Sequence, residues 1–356
     1  MSRILVINPG STSTKAAVFE DGRVLFDETV RHPKAELARF ETIPAQKNYR
    51  FQMIKTAMED RGIAFEDLDG VAARGGIIQP LESGTYEINE EMVRDLQGSK
   101  ASLHASCLAG LIGYDLKLRY GIPAFVTDPV VVDELCHEAR LTGVPGVERI
   151  SIFHALNQKA MGRLCAEEMG RTYEDCRFII AHLGGGISVA AHDLGRVVDV
   201  NNAISGEGPF SPERAGTLSM LQVADLICHQ GYTYEDIKDL ATKNGGVMAL
   251  LGINDMRRVG QMVQEGHEKA RQVMEAMAYQ VAKEIGAMAA VLGGKADAII
   301  LTGGIAYWKD FTDLIQCRVG FIAPVKGFPG EHEIEALASS VQRVLTGREI
   351  PKVYKG

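Results

Sequence analysis

The chain has 356 residues, of which 46% are hydrophobic and 24% charged, and its formal net charge is −8. These values are typical of a globular protein, and the length favours two domains over one. The acidic balance argues against nucleic-acid binding, and no apolar run in the sequence is long enough for a membrane-spanning helix. The six cysteines form no Cys-x-x-Cys pair and the N-terminus has no signal-peptide pattern, so we expect reduced thiols in a cytoplasmic protein.

The N-terminal segment predicts a β-meander with a polar first turn. Apolar runs at 4–8, 15–19 and 23–26 are separated by the turn 9–14, rich in glycine and hydroxyl residues, and by Glu20-Asp21-Gly22. A helix is predicted from Phe51 to Glu59, followed by a short buried strand at 70–73 that ends in Arg74-Gly75-Gly76. An arginine at a strand end is well placed to bind an anion, although a surface arginine beside a flexible turn fits the pattern equally well.

The next segment alternates helix and strand and ends in a glycine-rich linker. His104 precedes a predicted helix from Ser106 to Tyr120, and Asp128 follows a predicted strand at 124–126. Asp128 fits either an acid that positions a magnesium-bound water or the cap of a helix over 130–136. The linker at 143–146 predicts a domain boundary, and beyond it a helix is predicted from Gln158 to Met169.

The stretch from 178 to 202 predicts a second β-meander built like the first. Its first turn, Gly184-Gly185-Gly186, offers backbone N–H groups that no Cβ atom shields from a phosphate. Aligning 22–24 with 195–197 superposes strand, polar loop, strand, turn and strand in the two halves of the chain. Two similar halves, each with a phosphate-binding turn, predict one nucleotide held between them.

The remaining segments contain one long irregular loop, a long helix and a third glycine turn. Breaker residues dominate 205–218, which includes Arg214, and such loops usually serve function or are disordered. The helix predicted at 268–292 carries methionines that we assign to the core. A strand at 298–302 leads into Gly303-Gly304, and a terminal helix is predicted to end at Leu345.

Three motifs together resemble the acetokinase family of the acetate and sugar kinase/Hsp70/actin superfamily, over essentially the whole chain. They are Asn8–Lys15 and His182–Ser188, which resemble its two phosphate motifs, and Leu301–Ile305, which resembles its adenosine motif. The resemblance implies an α/β fold of two similar actin-like (ribonuclease H-like) domains with a nucleotide cleft between them. We expect residues 1–148 to form the acceptor-side domain, 149–333 the nucleotide-binding domain, and a helix at about 334–356 to pack back on the first.

The same resemblance implies a kinase that uses ATP and Mg²⁺ to phosphorylate a short carboxylate, with ADP as product, butanoate as the expected acceptor, and a homodimer or larger assembly. The residues that it assigns to the nucleotide are Asn8, Gly10, Ser11, Thr12, Lys15, His182, Gly184, Gly185, Gly186, Gly303, Gly304 and Ile305. The residues that it assigns to catalysis are Arg214, His154, Asp128 and His104. It assigns Ala73, Leu103 and Phe153 to the acyl pocket, and Asp128 with Glu333 or Glu331 to the metal.

The chain departs from the family pattern in three segments, which are 71–74, 155–158 and the residues 215–218 that follow Arg214. Acetokinases carry a substrate-binding arginine where this chain has Val71 and a histidine where it has Arg74, which leaves Arg74 as the candidate for the acceptor carboxylate. The family's Gly-Thr-Ser-His after the histidine that matches His154 is replaced here by 155–158, Ala-Leu-Asn-Gln. Ala73 stands where acetate kinases carry valine, which leaves room for a longer acyl chain unless Ala73 is only a small residue in a packed strand.

Three other functions fit parts of the pattern. The motifs do not separate butanoate from isobutanoate or other short acids. A sugar kinase would need an aspartate that deprotonates a hydroxyl group, a role that Asp128 could fill. A nucleotide-switched binding protein of the Hsp70 kind would share the nucleotide motifs, but the resemblance at the active-site positions favours the kinase.

Overall fold

The computed structural model describes residues 2–98 and 104–356, and these form two compact units. The first unit comprises the described residues up to Val132 together with His332–Gly356, and the second is Asp133–Glu331. The glycine-rich segment at 143–146 lies inside the second unit, where a bridge between Leu141 and Glu148 closes it into a turn. The units therefore divide at 132, whereas the sequence analysis expected a division near 148.

The first unit is a seven-stranded sheet with helices packed on it. Its strands, numbered in chain order, are β1 (Arg3–Pro9), β2 (Ser13–Glu20), β3 (Arg23–Arg31), β4 (Gly70–Ala73), β5 (Thr85–Glu87), β6 (Ala124–Thr127) and β12 (Lys352–Val353). Its helices are α1 (Lys34–Leu37), α2 (Lys47–Glu59), α3 (Glu90–Gln97), α4 (Cys107–Tyr120) and α13 (Glu333–Leu345). The C-terminal α13 packs on β1 and β4, and the strand order is β12-β5-β6-β4-β1-β2-β3.

The second unit has a five-stranded sheet in the order β11-β10-β7-β8-β9. Its strands are β7 (Arg177–Leu183), β8 (Ile187–Asp193), β9 (Arg196–Val200), β10 (Ala298–Gly303) and β11 (Val325–Pro329). Its helices are α5 (His137–Arg140), α6 (Ala155–Glu168), α7 (Met220–Gln230), α8 (Tyr234–Thr242), α9 (Gly246–Leu251), α10 (Met256–Gln264), α11 (Glu268–Val291) and α12 (Lys309–Val319). The methionines of α11, including Met274 and Met277, lie in its core, as predicted.

The two sheets share one strand pattern. In each, an antiparallel meander (β1–β3 or β7–β9) continues through its first strand into a parallel strand (β4 or β10), which pairs in parallel with another (β6 or β11). Of these parallel strands, β4, β6 and β10 are buried throughout, and their sequences are almost entirely apolar, whereas β11 at the sheet edge is partly exposed. The predicted α/β class with two similar halves is confirmed by these sheets.

Several local predictions need correction. No helix covers 130–136, where the chain forms a turn and an isolated bridge at Val132, so Asp128 caps no helix there. Helix α2 begins at Lys47 and α6 at Ala155, each several residues earlier than predicted. The cysteines are free, but Cys228 and Cys317 are exposed.

Helix α7 is unusual because none of its residues is buried, although most of its side chains are apolar. Met220 and Leu221 are 82% and 78% exposed. The sequence pattern did not predict this exposed apolar surface. Within the described residues, no helix combines the length and the apolar character needed to cross a lipid bilayer.

Candidate active site

The first phosphate loop, 10–14, connects β1 and β2 and is anchored by a buried arginine. Arg50 Nη1 donates to the carbonyl oxygens of Gly10 at 2.7 Å and Ser13 at 3.0 Å, and its Nη2 donates to that of Ser11 at 2.9 Å. The backbone N–H of His32 donates to the carbonyl of Thr12 at 2.8 Å. Four successive carbonyl oxygens are therefore bound by donors of the protein, which removes the groups that would repel a phosphate.

Arg50 was missed by the sequence analysis, which began the helix one residue later. It is 1% exposed, and burial lowers the pKa of its guanidinium. A signal was present, because Arg50 stands one turn before Ile54, on the buried face of the helix. Of the loop residues predicted to bind nucleotide, Ser11 and Thr12 are exposed, and Lys15 on β2 forms an ion pair with Asp27 at 3.3 Å.

Asn8, Arg74 and Glu333 form a closed triangle at the ends of β1, β4 and the start of α13. Arg74 Nη1 donates to Asn8 Oδ1 at 3.0 Å, and Asn8 Nδ2 donates to Glu333 Oε2 at 2.9 Å. Arg74 Nη2 lies 3.1 Å from Glu333 Oε1. The structure thus brings together three predicted residues. Glu331 lies in the second unit instead, where its backbone carbonyl accepts a hydrogen bond from Asn157.

The turn after β4 packs tightly against the segment after β6. A Cβ atom on Gly75 would overlap Pro129 and Val126, so glycine is required for this approach. Asp128, the residue before Pro129, has a positive φ of 39° and is 2% exposed. Its Oδ1 accepts hydrogen bonds from Ser83 Oγ at 2.7 Å and from the Gly84 N–H at 2.9 Å. The backbone at Asp128 is therefore held in a conformation that aspartate rarely adopts.

His104 precedes α4 and is held by Ser106. Its Nδ1 lies 2.8 Å from Ser106 Oγ and accepts from the Ser106 N–H at 3.2 Å, so the neutral ring carries its proton on Nε2. Although the residue keeps an exposed surface, packing around the ring lowers the pKa of His104, and the Arg74 guanidinium adds to the shift. His104 is therefore placed as a neutral hydrogen-bond donor.

The second phosphate loop, 184–186, connects β7 and β8 and is braced by the long irregular loop. Ser211 Oγ donates to the carbonyl oxygen of Gly185 at 2.7 Å, and the Glu213 N–H donates to the same oxygen at 3.4 Å. Gly186 is packed against the guanidinium of Arg214, whose Nη1 donates to the carbonyl of Ala203. Burial lowers the pKa of Arg214, partly opposed by Glu213, and the group stays cationic at neutral pH.

Two predicted histidines stack on each other beside this loop. The rings of His154 and His182 have centroids 3.9 Å apart and planes inclined by 10°. His182 Nδ1 lies 2.7 Å from Asn157 Oδ1, and His154 Nδ1 lies 2.8 Å from Ser188 Oγ. Asn157 and Ser188 were not predicted as site residues. Asn157 belongs to the 155–158 segment that departs from the family pattern.

The second unit contains a cavity of about 600 Å³ that joins two predicted nucleotide motifs. Gly184 and Gly185 of the phosphate loop, Gly304 and Ile305 of the adenosine motif, and Trp308 line it. This volume lies within the usual range for small-molecule sites. Gly303, with φ of 88°, approaches the backbone of Leu183 so closely that a Cβ atom would overlap it. The turn after β10 is therefore held against the end of β7.

Two of the three residues predicted to line the acyl pocket are buried, and the third is not described. Ala73 is fully buried in the core of the first unit, between Ile7 of β1 and Val126 of β6. Phe153 is 2% exposed, and Leu103 lies outside the described residues. The burial of Ala73 favours the alternative of a small residue in a packed strand, and its role in acceptor choice stays a prediction.

The carboxylates fit magnesium by donor chemistry. Asp128 and Glu333 carry hard carboxylate oxygens, and Mg²⁺ is usually bound by one or two carboxylates together with water and substrate phosphates. Within the described residues, no group of three or more His, Cys, Asp or Glu side chains is arranged around a metal site. A magnesium ion held by one or two protein ligands is compatible with that observation.

The chain resembles known proteins in both sequence and fold. Residues 143–313 match the sequence model of the acetokinase family. The whole chain resembles the acetate kinase of Porphyromonas gingivalis, with a TM-score of 0.82 and 22% identity over 97% of this chain and 100% of that one. It also resembles a propionate kinase from Francisella tularensis, with a TM-score of 0.76 and 18% identity over 96% and 99% of the two chains. The acetate kinase of Entamoeba histolytica resembles the chain with a TM-score of 0.76 and 16% identity, over 96% of this chain and 99% of that one.

The segment from 143 to 313 is therefore similar in sequence to the acetokinase family, and the likeness in fold extends over nearly the whole chain. At these identities, the structural likeness shows the fold of the carboxylate kinases. It does not identify the acceptor acid.

Proposed function

We propose that this acetokinase-like protein transfers the γ-phosphoryl group of ATP to the carboxylate of a short-chain fatty acid, with butanoate as the acceptor expected from its sequence. The proposal rests on the cavity that both nucleotide motifs of the second unit line. Arg214, His154 and His182 belong to the same unit and supply cationic or N–H donors. A γ-phosphoryl group in transfer needs donors of this kind.

The reaction needs no general base. A fatty-acid carboxylate has an intrinsic pKa of about 4 to 5, so it is ionised at neutral pH and attacks directly. One carboxylate oxygen forms a bond to Pγ while the bond from Pγ to the β,γ-bridging oxygen breaks, giving ADP and butanoyl phosphate with no net proton transfer. Positioning and charge stabilisation therefore account for catalysis.

The side chains have separate tasks. The backbone N–H groups of Gly185 and Gly186 and the exposed Ser11 and Thr12 of loop 10–14 bind phosphate oxygens, because the Gly184 N–H already donates to the Gly186 carbonyl. Arg214 stabilises charge on the transferred group. Arg74 binds the acceptor carboxylate, with Asn8 and Glu333 holding its guanidinium in place. Asp128 and Glu333 would hold Mg²⁺, which neutralises phosphate charge when bound. The neutral ring of His104 offers its Nε2–H group as a further hydrogen-bond donor.

An acceptor panel tests the proposal. The protein is incubated with MgATP, hydroxylamine and each of acetate, propionate, butanoate and isobutanoate, and acyl hydroxamate is measured. We expect hydroxamate with at least one acid and the highest kcat/KM with butanoate. A protein boiled before the assay is the blank. Absence of product with every acid would eliminate carboxylate phosphorylation, whereas a preference for another acid would correct only the acceptor.

Two further points belong to this proposal. A sugar kinase would give no hydroxamate with the short acids and would release ADP with hexoses in a parallel assay, and Asp128 would then be the base. We also propose a homodimer or larger assembly, for which exposed α7 offers an apolar surface. Sedimentation velocity of the wild type and of Leu221→Glu measures the assembly state. The cytoplasmic location expected from the sequence stays a prediction.

A further inference from the structure

We propose that Gln158 is a positioning residue that fixes His154 in the tautomer with its proton on Nε2, ready to donate to the phosphoryl group. This inference rests on the proposed phosphoryl transfer. Gln158 is the last residue of 155–158, one of the segments where the chain departs from the acetokinase pattern. In the structure it links two side-chain pairs of the second unit, Tyr173 with His192 and Ser188 with His154.

The five side chains form one continuous hydrogen-bonded chain. Tyr173 Oη lies 2.6 Å from His192 Nδ1, and His192 Nε2 lies 3.0 Å from Gln158 Oε1. Gln158 Nε2 lies 2.9 Å from Ser188 Oγ, which is 2.8 Å from His154 Nδ1. Gln158, Ser188 and His192 are fully buried, and Tyr173 is 3% exposed. Bulk water therefore does not compete with these contacts.

The backbone carbonyl of Ser188 fixes the orientation of the Gln158 amide. That oxygen only accepts hydrogen bonds, and it lies 3.0 Å from the side-chain atom of Gln158 that also contacts Ser188 Oγ. This atom must therefore be the NH₂ group, because the amide oxygen would be repelled. The opposite atom, Oε1, then faces His192 Nε2, which must carry the proton.

The direction of the remaining bonds follows from this orientation. With its proton on Nε2, neutral His192 accepts the Tyr173 hydroxyl proton at Nδ1. Full burial lowers the pKa of His192 well below its usual value, which keeps the ring neutral. At the other end, Ser188 Oγ accepts a hydrogen bond from the Gln158 amide and, at 3.5 Å, one from the backbone N–H of His154. The atoms that contact Ser188 Oγ are Gln158 Nε2, the backbone nitrogen of His154 and His154 Nδ1, and of these only Nδ1 can accept the serine proton.

His154 therefore accepts at Nδ1 and carries its own proton on Nε2. Every donor in the chain points the same way, from Tyr173 through His192, Gln158 and Ser188 to His154. A neutral ring held in this tautomer donates to a phosphoryl oxygen without first taking up a proton. The stacked ring of His182, 3.9 Å away, limits rotation of the His154 ring out of this orientation.

Nitrogen-15 NMR of the histidine side chains tests the inference directly. In the wild type at pH 7.5, we expect the His154 signals, assigned with His154→Gln, to show a protonated Nε2. In Gln158→Leu, Ser188 loses its donor, the Nδ1–H tautomer becomes populated, and kcat falls about tenfold or more with little change in the KM for ATP. Ser188→Ala, a smaller change, should give the same shift if the leucine variant folds poorly.

The matched control is Gln272→Leu, which removes an exposed glutamine on α11 and should leave both measurements unchanged. A protonated Nδ1 in the wild type would overturn the inference. So would an unchanged tautomer in a folded Gln158→Leu, whatever its kcat. Because NMR reads the tautomer without turnover, absence of kinase activity would refute the proposed function separately.

Discussion

The backbone of Gly186 packs directly against the guanidinium of Arg214. A Cβ atom at position 186 would overlap Nη1 and Cζ of that arginine, so the space for even one methyl group is already occupied. The third glycine of the phosphate turn is therefore required for close approach to the arginine. The arginine in turn donates to the carbonyl of Ala203, which limits its freedom to move aside.

Gly186→Ala is accordingly expected to displace Arg214 and to lower kcat by about 10²-fold or more, because the guanidinium would leave its position at the phosphate turn. The measurement is steady-state kinetics together with thermal unfolding. Gly286→Ala on α11, where nothing lies near the added methyl group, is the matched control. A wild-type kcat in Gly186→Ala would show that Arg214 need not occupy this place.

Removal of the guanidinium itself should have the larger effect. We expect Arg214→Ala to lower kcat by about 10³-fold, with much smaller changes in KM, because the group stabilises charge that develops during transfer. Arg214→Lys should recover little, since lysine lacks the planar fork. Single-turnover kinetics with saturating ATP separates chemistry from binding. A near-normal kcat in the alanine variant would remove Arg214 from the mechanism.

Glu333 should be the metal-side acid. Glu333→Gln keeps the shape of the side chain but removes the charge, so we expect the Mg²⁺ concentration for half-maximal activity to rise about tenfold or more. Glu331→Gln should shift it less, because Glu331 belongs to the second unit, whereas Glu333 contacts Asn8 and Arg74 within the first. Glu335→Gln, an exposed change on the same helix, is the neutral control. The opposite ranking of the two glutamates would make Glu331 the ligand.

Ala73→Val tests whether residue 73 selects the acceptor. Because Ala73 is fully buried between two strands, we expect two added methyl groups to cost about 1–3 kcal/mol of unfolding free energy. The losses in kcat/KM should then be equal for acetate and butanoate. The measurement is steady-state kinetics with both acids together with the Tm of each variant. A loss confined to butanoate at unchanged Tm would instead assign Ala73 to the acyl pocket, as the sequence analysis expects.

His32 should make the protein less stable in mild acid. Burial, aided by the nearby Arg50, lowers the pKa of His32 to about 4. The unfolded chain, with a histidine pKa of about 6.5, takes up the proton first as the pH falls, so stability declines from about pH 7 towards pH 4 and then levels. Between pH 7 and pH 5 this one residue accounts for about 2 kcal/mol.

Urea unfolding at pH 7 and pH 5 checks that expectation. His32→Asn has no proton to gain, and its shorter side chain loses the contact with Thr14 Oγ1, which lies 2.8 Å from His32 Nε2, at both pH values alike. The difference in unfolding free energy between the two pH values should therefore shrink by about 2 kcal/mol in this variant. His229→Asn, an exposed histidine, is the control. An equal pH difference in the wild type and His32→Asn would contradict the prediction.

By itself, the sequence determined both meanders, the glycine turns and the repeated strand pattern. These features depend on local chemistry, because alternating or continuous apolar runs specify strands and glycine permits close turns wherever it occurs. The positions of Asn8, Arg74, Gly184 and Gly303 at strand ends followed from the same patterns. Terminal boundaries were less well specified, as the early start of α6 shows, because a helix end depends on capping and packing.

Only the tertiary structure decided which side chains meet. Glu333 bonds to Asn8 across 325 positions of sequence, and no local pattern distinguishes it from Glu331 two residues earlier. Arg50 and Gln158 are polar residues on helices, and their partners lie 36 to 40 and 30 to 34 positions away in the hydrogen bonds that anchor loop 10–14 and orient His154. Burial obliges each polar group to find a partner, but folding of the distant strands decides which partner is within reach.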